Sequence, residues 1–390
     1  MDEVESMLSL AQAVRDKVFA ALPADAELVV SCDPLNKAYL SGYVSIAHDL
    51  APAYRSAVLA TRGTAALVTS AADAAPAFEA LGRAELIHRY GEFYFDREES
   101  TLDALTQPAP ALFEVAFTAA LATHKGQGRI GIDRSDDDLL WRLCTEIFGE
   151  SRILDVTQQL QACRAVKLPG EVARLRQAAE CVEAGFAKIM QTARAGMTEL
   201  DLAAMIAESI VAGGGVPRFV SVTSGPRSAL ADAYPTGRTI AQEETIRIDA
   251  GCTHNGYWSD IGRTLVFGSP GQRQSDIYGA LLRGLEAMLD QLKEGVVARD
   301  LFEIAVGTVR TNGIPSYRRQ HCGHGIGLRS YDSPTVAAHD DTVLMAGMCL
   351  CLETPYYILG CDGMMVEETV MVTPDGFEPI TTLSREFLSI

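Results

Sequence analysis

The stretch TIRIDAGCTHNGYWSDIGRTLVFG, residues 245–268, decides how this chain is read. Ile246 and Ile248 alternate with polar residues, and Asn255-Gly256 is the favoured dipeptide of a two-residue hairpin turn. If the turn closes the hairpin without a bulge, Gly251 faces Asp260 and Asp249 faces Gly262. Side chains alternate along a strand, so Asp249 and Asp260 then share one face as diagonal neighbours, roughly 7–8 Å apart at the backbone. Two carboxylates placed together in a sheet repel one another unless a cation lies between them. An Asp that merely stabilises the turn is the competing reading, and the spacing favours the metal.

Two more carboxylates follow in apolar strands. MCLCLETPYY, residues 348–357, puts Glu353 at a strand end, and GMMVEETVMVTPDG, residues 363–376, puts Glu367 and Glu368 inside another. An exposed edge-strand face suits Glu368 but not both residues. The run HCGHGIGLRSYDSP from His321 offers His324 among glycines, read as a loop passing close to metal and substrate. Two Asp, two Glu and one His suit two divalent ions about 3.5–4 Å apart, bridged by carboxylates. Oxygen-rich ligation with one nitrogen points to Mn, Co, Fe or Zn. A water shared by such ions turns into hydroxide near neutral pH, and that chemistry is hydrolysis. The glycines are no phosphate cradle, since the Lys and helix of a P-loop are missing. His321 reads as a substrate-facing or supporting residue, and Cys322 as a small buried thiol without a base to activate it.

The whole chain sets the frame. Its 390 residues exceed one ordinary core, and 48% hydrophobic with 22% charged residues is the composition of a soluble globular protein. A net charge of −18 argues against nucleic acid and anionic membrane surfaces as partners, because both repel such a chain. The acidic N-terminus does not fit a signal peptide, and Met7, Leu10, Val14 and Val18 mark an amphipathic helix instead. No apolar run is long enough to span a bilayer. Nine scattered cysteines without a Cys-x-x-Cys fit reduced thiols in the cytoplasm.

Alternating strand and helix signals fill residues 1–160, including two strands about Arg62-Gly63 and an acidic helix start at Asp136–Asp138. A long helix then begins at Pro169-Gly170, with Val172, Leu175, Ala179, Val182, Phe186 and Ile189 on one face. Thr198 and Asp201 form a capping box for the next helix. Beyond Gly213–Gly215 strands dominate, apart from helices near 273–295 and 298–312. The expected organisation is an α/β N-terminal domain, 1–160, followed by an α+β domain, 161–390.

The order Asp249, Asp260, His324, Glu353, Glu367 resembles that of the pita-bread metallohydrolases: methionine aminopeptidase, aminopeptidase P, prolidase and creatinase. The matching pieces are DAGCTHNGYWSDIGRT, GHGIG, LETPYY and VEETVMVTPDG. LNKAYLSGY and LPGEVARLRQAAECVEAGF are similar to the N-terminal domain and linker of the aminopeptidase P/creatinase branch. The resemblance implies a pita-bread catalytic domain in which all five residues hold metal, Glu353 works as acid–base and Glu367 bridges the ions. It also implies a homodimer in which Tyr43, His48 and Arg55 line the pocket of a neighbouring subunit.

Departures from the pattern concern the substrate. In proline-directed members a His usually precedes Pro-Thr, and here that position is Asp232; a second His followed by Glu usually ends the His-ligand loop, and here stand Tyr331 and Asp332. Tyr331 can donate to a developing oxyanion, and Asp232 can hold a cationic amine. The expected reaction is therefore cleavage of an amide in a small peptide-like, N-acylated or cyclic amino-acid substrate. Xaa-Pro peptidase and metal-dependent lyase are the alternatives.

Overall fold

The computed structural model describes residues 3–51, 53–96, 98, 102–134 and 138–390. The chain divides into two compact units, Met1–Arg164 and Ala165–Ile390.

The first unit is built on a six-stranded mixed sheet in the order Ile87–Tyr90, Ala65–Ser70, Ala57–Ala60, Ala26–Ser31, Arg129–Ile132, Ile153–Asp155. Its second and third members form the antiparallel hairpin about Arg62-Gly63. Parallel neighbours at both ends give the α/β character. Phe113 and Phe117 of the helix Phe113–Thr123 lie against the apolar face of Val30, Ile130 and Ile132. The helix after the strand Arg129–Ile132 runs Leu139–Phe148. Asp136 and Asp137 of the expected acidic start lie outside the described residues.

The second unit opens with the helix Pro169–Thr192. Proline suits the first turn, where an amide would lack a partner, and the Glu171 carboxylate accepts from the Leu168 amide at 2.8 Å. All six residues of the expected apolar face are buried. Thr198 and Asp201 cap the helix Glu199–Ala212 reciprocally. The two helices approach so closely that a Cβ on Gly185 would stand 2.7 Å from the Ile206 Cα. The helices Gln272–Gln291 and Ala298–Thr311 share a core with Leu350, Leu352 and Val370.

Two sheets meet these helices. One runs Leu388–Ser389, Ile261–Val266, Thr245–His254, Val216–Ser224, and Tyr257–Trp258 pairs with Thr245–His254. The other runs Asp332–Thr335, Gly323–Gly325, Cys349–Glu353, Glu367–Val372, Phe377–Pro379. They are pinned together where the Thr264 hydroxyl donates to the Met365 carbonyl at 2.8 Å and accepts from its amide at 2.9 Å. The hairpin has the expected register: His254 faces Tyr257 across Asn255-Gly256, and Asp249 faces Gly262. Both turn residues have positive φ, 49° and 83°, as such a turn requires.

Two expectations are corrected. His324 lies on the short strand Gly323–Gly325, not on a loop, and its flanking glycines serve neighbouring backbone rather than substrate. A Cβ at Gly323 would overlap the Cys351 carbonyl, and one at Gly325 the Ser333 carbonyl. Glu368 does not face solvent. It is buried against the equally buried Arg263, with 3.3 Å between Nη2 and Oε2.

Candidate active site

Strand alternation carries the carboxylates inward. Asp249 projects from the middle of its strand, and Asp260 stands just before Ile261 on the returning one. Glu353 and Glu367 are direct cross-strand partners in the second sheet, and His324 sits opposite Cys351 on the strand beside them. Gly262, opposite Asp249, is the residue that makes room. A Cβ there would overlap the Met365 side chain and stand 3.0 Å from Glu367 Oε2.

One donor of each of Asp260, His324, Cys351 and Glu367 falls within 4.8 Å of every other. His324 Nε2 is 3.6 Å from Asp260 Oδ2. Its Nδ1 donates to the Gly325 carbonyl at 3.0 Å, which fixes the tautomer and leaves the Nε2 lone pair pointing at the cluster. Burial, chiefly, pushes the imidazole pKa down to about 4, so His324 is a neutral base at ordinary pH. His324 Nε2 and Glu367 Oε2 are buried without a hydrogen-bond partner. A neutral imidazole and clustered carboxylates with two orphaned buried donors are the donor set a divalent cation accepts.

The electrostatics agree. Burial, then the charges of Glu367 and Asp249, raise the Asp260 carboxyl well above its usual range. Burial, then Asp249 and Glu353, do the same to Glu367. Asp249 rises to about 6, chiefly through burial and against the pull of Arg247. Burial also raises Glu353, opposed by Arg319. Groups protonated more readily in the fold stabilise it fully below their unfolded pKa, near 4 for Asp, and that contribution is lost as pH rises through about 6. Metal-stripped protein should therefore lose thermal stability from pH 4 to above pH 6, and the stabilisation gained on adding metal should widen over the same interval. Melting curves with and without chelator check this.

Arginines missing from the sequence reading brace the cluster. Arg319 Nη2 and His321 Nδ1 each stand 3.1 Å from Glu353 Oε1. Arg247, wholly buried, lies 3.5 Å from Asp249 and donates to the carbonyls of Ser228, Leu230 and Ala231. It thereby holds the segment that leads to Asp232. Its place two residues before Asp249, on the same strand face, was the available signal.

A cavity of about 430 Å³ opens on the carboxylates. Asp249, Asp260, Glu353 and Glu367 line its floor, and Asp232 and Tyr331 line it too. Tyr331 stacks on His324 with ring centroids 3.8 Å apart. Burial and the surrounding carboxylates raise its phenol, so the proton stays on. Asp332 is buried, is not among the residues lining this cavity, and accepts from the Ser333 amide at 3.0 Å. Tyr43, His48 and Arg55 belong to the first unit. Tyr43 donates to Asp73 at 2.5 Å, His48 Nε2 is 3.1 Å from Lys37 Nζ, and Arg55 reaches Glu114 at 3.9 Å.

Fold and site together define a metal-dependent hydrolase of C–N bonds. The description of metallopeptidase family M24 matches residues 173–374, just over half of the chain, and the chain belongs to that family. The Xaa-Pro dipeptidase of Pyrococcus furiosus is 31% identical over 239 residues, 61% of this chain and 68% of that protein. A probable dipeptidase PepE of Mycobacterium tuberculosis is 32% identical over 236 residues, 60% of this chain and 63% of that protein. Crystal structures share the pita-bread fold. The X-Pro aminopeptidase from Thermotoga maritima superposes with a TM-score of 0.76 at 24% identity, covering 100% of both chains. The prolidase from Pyrococcus horikoshii gives 0.76 at 24%, covering 96% of this chain and 100% of that one. The family is one of divalent-metal enzymes, and no helix among the described residues is long and apolar enough to cross a membrane.

Proposed function

We propose that the chain hydrolyses an amide bond in a short peptide-like, N-acylated or cyclic amino-acid substrate, at two divalent ions held by Asp249, Asp260, His324, Glu353 and Glu367. The carrying observation is the convergence of the four carboxylates on one cavity floor with His324 clustered beside Asp260 and Glu367, where His324 Nε2 and Glu367 Oε2 are buried and unpartnered. Bound ions, drawn from Mn, Co, Fe and Zn, supply Lewis acidity towards a carbonyl and an attacking water.

The protein groups divide the remaining work. Glu353, held by the Arg319 guanidinium, accepts the proton of the water and returns it to the leaving nitrogen. The Tyr331 hydroxyl, set above His324, donates to the carbonyl oxygen as negative charge gathers there. Asp232, held in place through Arg247, receives a cationic amine. A cavity of about 430 Å³ suits a dipeptide-sized molecule. The resemblance further supports a homodimer in the cytoplasm.

A second reading, Xaa-Pro dipeptidase, is favoured by the name of the Pyrococcus furiosus relative. Metal analysis of Mn- or Co-loaded protein should find about two ions per chain, and a screen in ¹⁸O-water should find label in the product. Robust turnover of Xaa-Pro dipeptides would favour the second reading, and turnover confined to N-acylated or cyclic amino acids the first. An unsaturated product without label would make the chain a lyase.

A further inference from the structure

The geometry points to a sixth metal-binding side chain: we infer that Cys351 coordinates the ion held by Asp260, His324 and Glu367, giving a mixed sulfur, nitrogen and oxygen site. The inference rests on the proposed metal centre and adds to it a soft ligand that changes which metals the centre prefers.

Cys351 reaches the cluster through strand register. It lies two residues before Glu353, so both side chains leave the strand Cys349–Glu353 on the same face. Across the sheet it pairs with His324 on one side and Thr369 on the other, which makes Glu367 its diagonal neighbour. The thiol is wholly buried. Its sulfur accepts from the Thr369 hydroxyl at 3.5 Å and donates to the Asp260 carbonyl at 3.6 Å, contacts that hold it beside the Asp260 backbone.

Bond lengths decide whether the four donors can share one ion. A tetrahedral site with metal–nitrogen and metal–oxygen bonds of about 2.0–2.2 Å and a metal–sulfur bond of about 2.3 Å has ligand atoms roughly 3.3–3.8 Å apart. The donors of Asp260, His324, Cys351 and Glu367 already lie within 4.8 Å of one another, and the His324–Asp260 edge measures 3.6 Å. Contraction by about 1 Å, within the reach of side-chain rotation, completes the shell. Two of the four, His324 Nε2 and Glu367 Oε2, are the buried atoms left without partners. His324 and Cys351 do not line the cavity, so the sulfur binds from the protein side and the substrate side stays carboxylate. On coordination the S–H bond breaks, a sulfur–metal bond forms, and the proton leaves to solvent.

A thiolate favours Zn, Co and Fe over Mn beyond what carboxylates alone provide. The test is the spectrum of the Co(II)-loaded full chain. A near-ultraviolet sulfur-to-cobalt charge-transfer band is expected, lost in Cys351→Ser while the visible cobalt bands persist. The ratio of Zn to Mn affinity should fall roughly 10–100-fold in the same variant. X-ray absorption of the unmodified Zn-loaded protein should show about one sulfur at about 2.3 Å, a readout that holds even if the variant fails to fold. Cobalt bound without a charge-transfer band, a band that survives Cys351→Ser, or a zinc shell without sulfur would each overturn the inference and leave the metal centre standing. Failure to bind any cobalt would remove the metal centre itself.

Discussion

Asp260→Ala is expected to lower amide hydrolysis by at least about a thousand-fold, because Lewis-acid stabilisation worth several kcal/mol disappears with the ion. The same substitution should not unfold the protein. Asp260 is buried among Glu367, Asp249 and Glu353, and their mutual repulsion is unfavourable to the fold when no cation lies between them. Removing one carboxylate relieves that repulsion, so chelator-treated variant should melt at or above the temperature of chelator-treated parent at pH 7. Metal should then raise the melting temperature of the parent far more than that of the variant. Kinetics and paired melting curves provide the check. A variant that keeps its metal and works within tenfold of the parent would remove Asp260 from the chemistry.

Arg263→Met should act in the opposite sense, on stability first. Arg263 is wholly buried and serves several partners at once. It donates to the carbonyls of Ser384 and Leu383, both at 2.8 Å, to the Glu367 carbonyl, and to Glu368 at 3.3 Å. Without it, Glu368 keeps Arg385, at 3.6 Å, as its cationic partner among the described residues. Breaking a buried pair on one side costs about 3–5 kcal/mol, because the remaining charge stays desolvated. Denaturant unfolding measures the loss, and Arg263→Met combined with Glu368→Leu should recover part of it. A loss under about 1 kcal/mol would show that the pair is dispensable.

Local rules made much of this legible. Asn255-Gly256 dictates a two-residue turn, the turn dictates register, and register places Gly262 opposite Asp249. The helix face from Val172 to Ile189 and the Thr198–Asp201 cap likewise depend on spacing within a few residues. Groups whose meaning comes from distant segments were not legible. Arg319 matters because Glu353 lies beside it, and Arg263 because Glu368 and residues 383–384 close over it. The glycines flanking His324 looked like access for a ligand, yet each makes room for the backbone of an adjacent strand. Cys351 passed as one of nine scattered thiols because nothing nearby in sequence announces that His324 is its cross-strand neighbour.

That placement of His324 bears on how such a protein can change over time. The imidazole comes from an interior strand hemmed in on both sides, and Asp249 from a strand whose register is set by a turn and by Gly262. Asp232 and Tyr331, by contrast, stand outside strands at the cavity wall. The groups proposed to hold metal and the two wall residues are thus inherited on separate parts of the chain. A lineage can reshape the cavity wall by altering Asp232 or Tyr331 while the strands that carry Asp249, His324, Glu353 and Glu367 stay as they are.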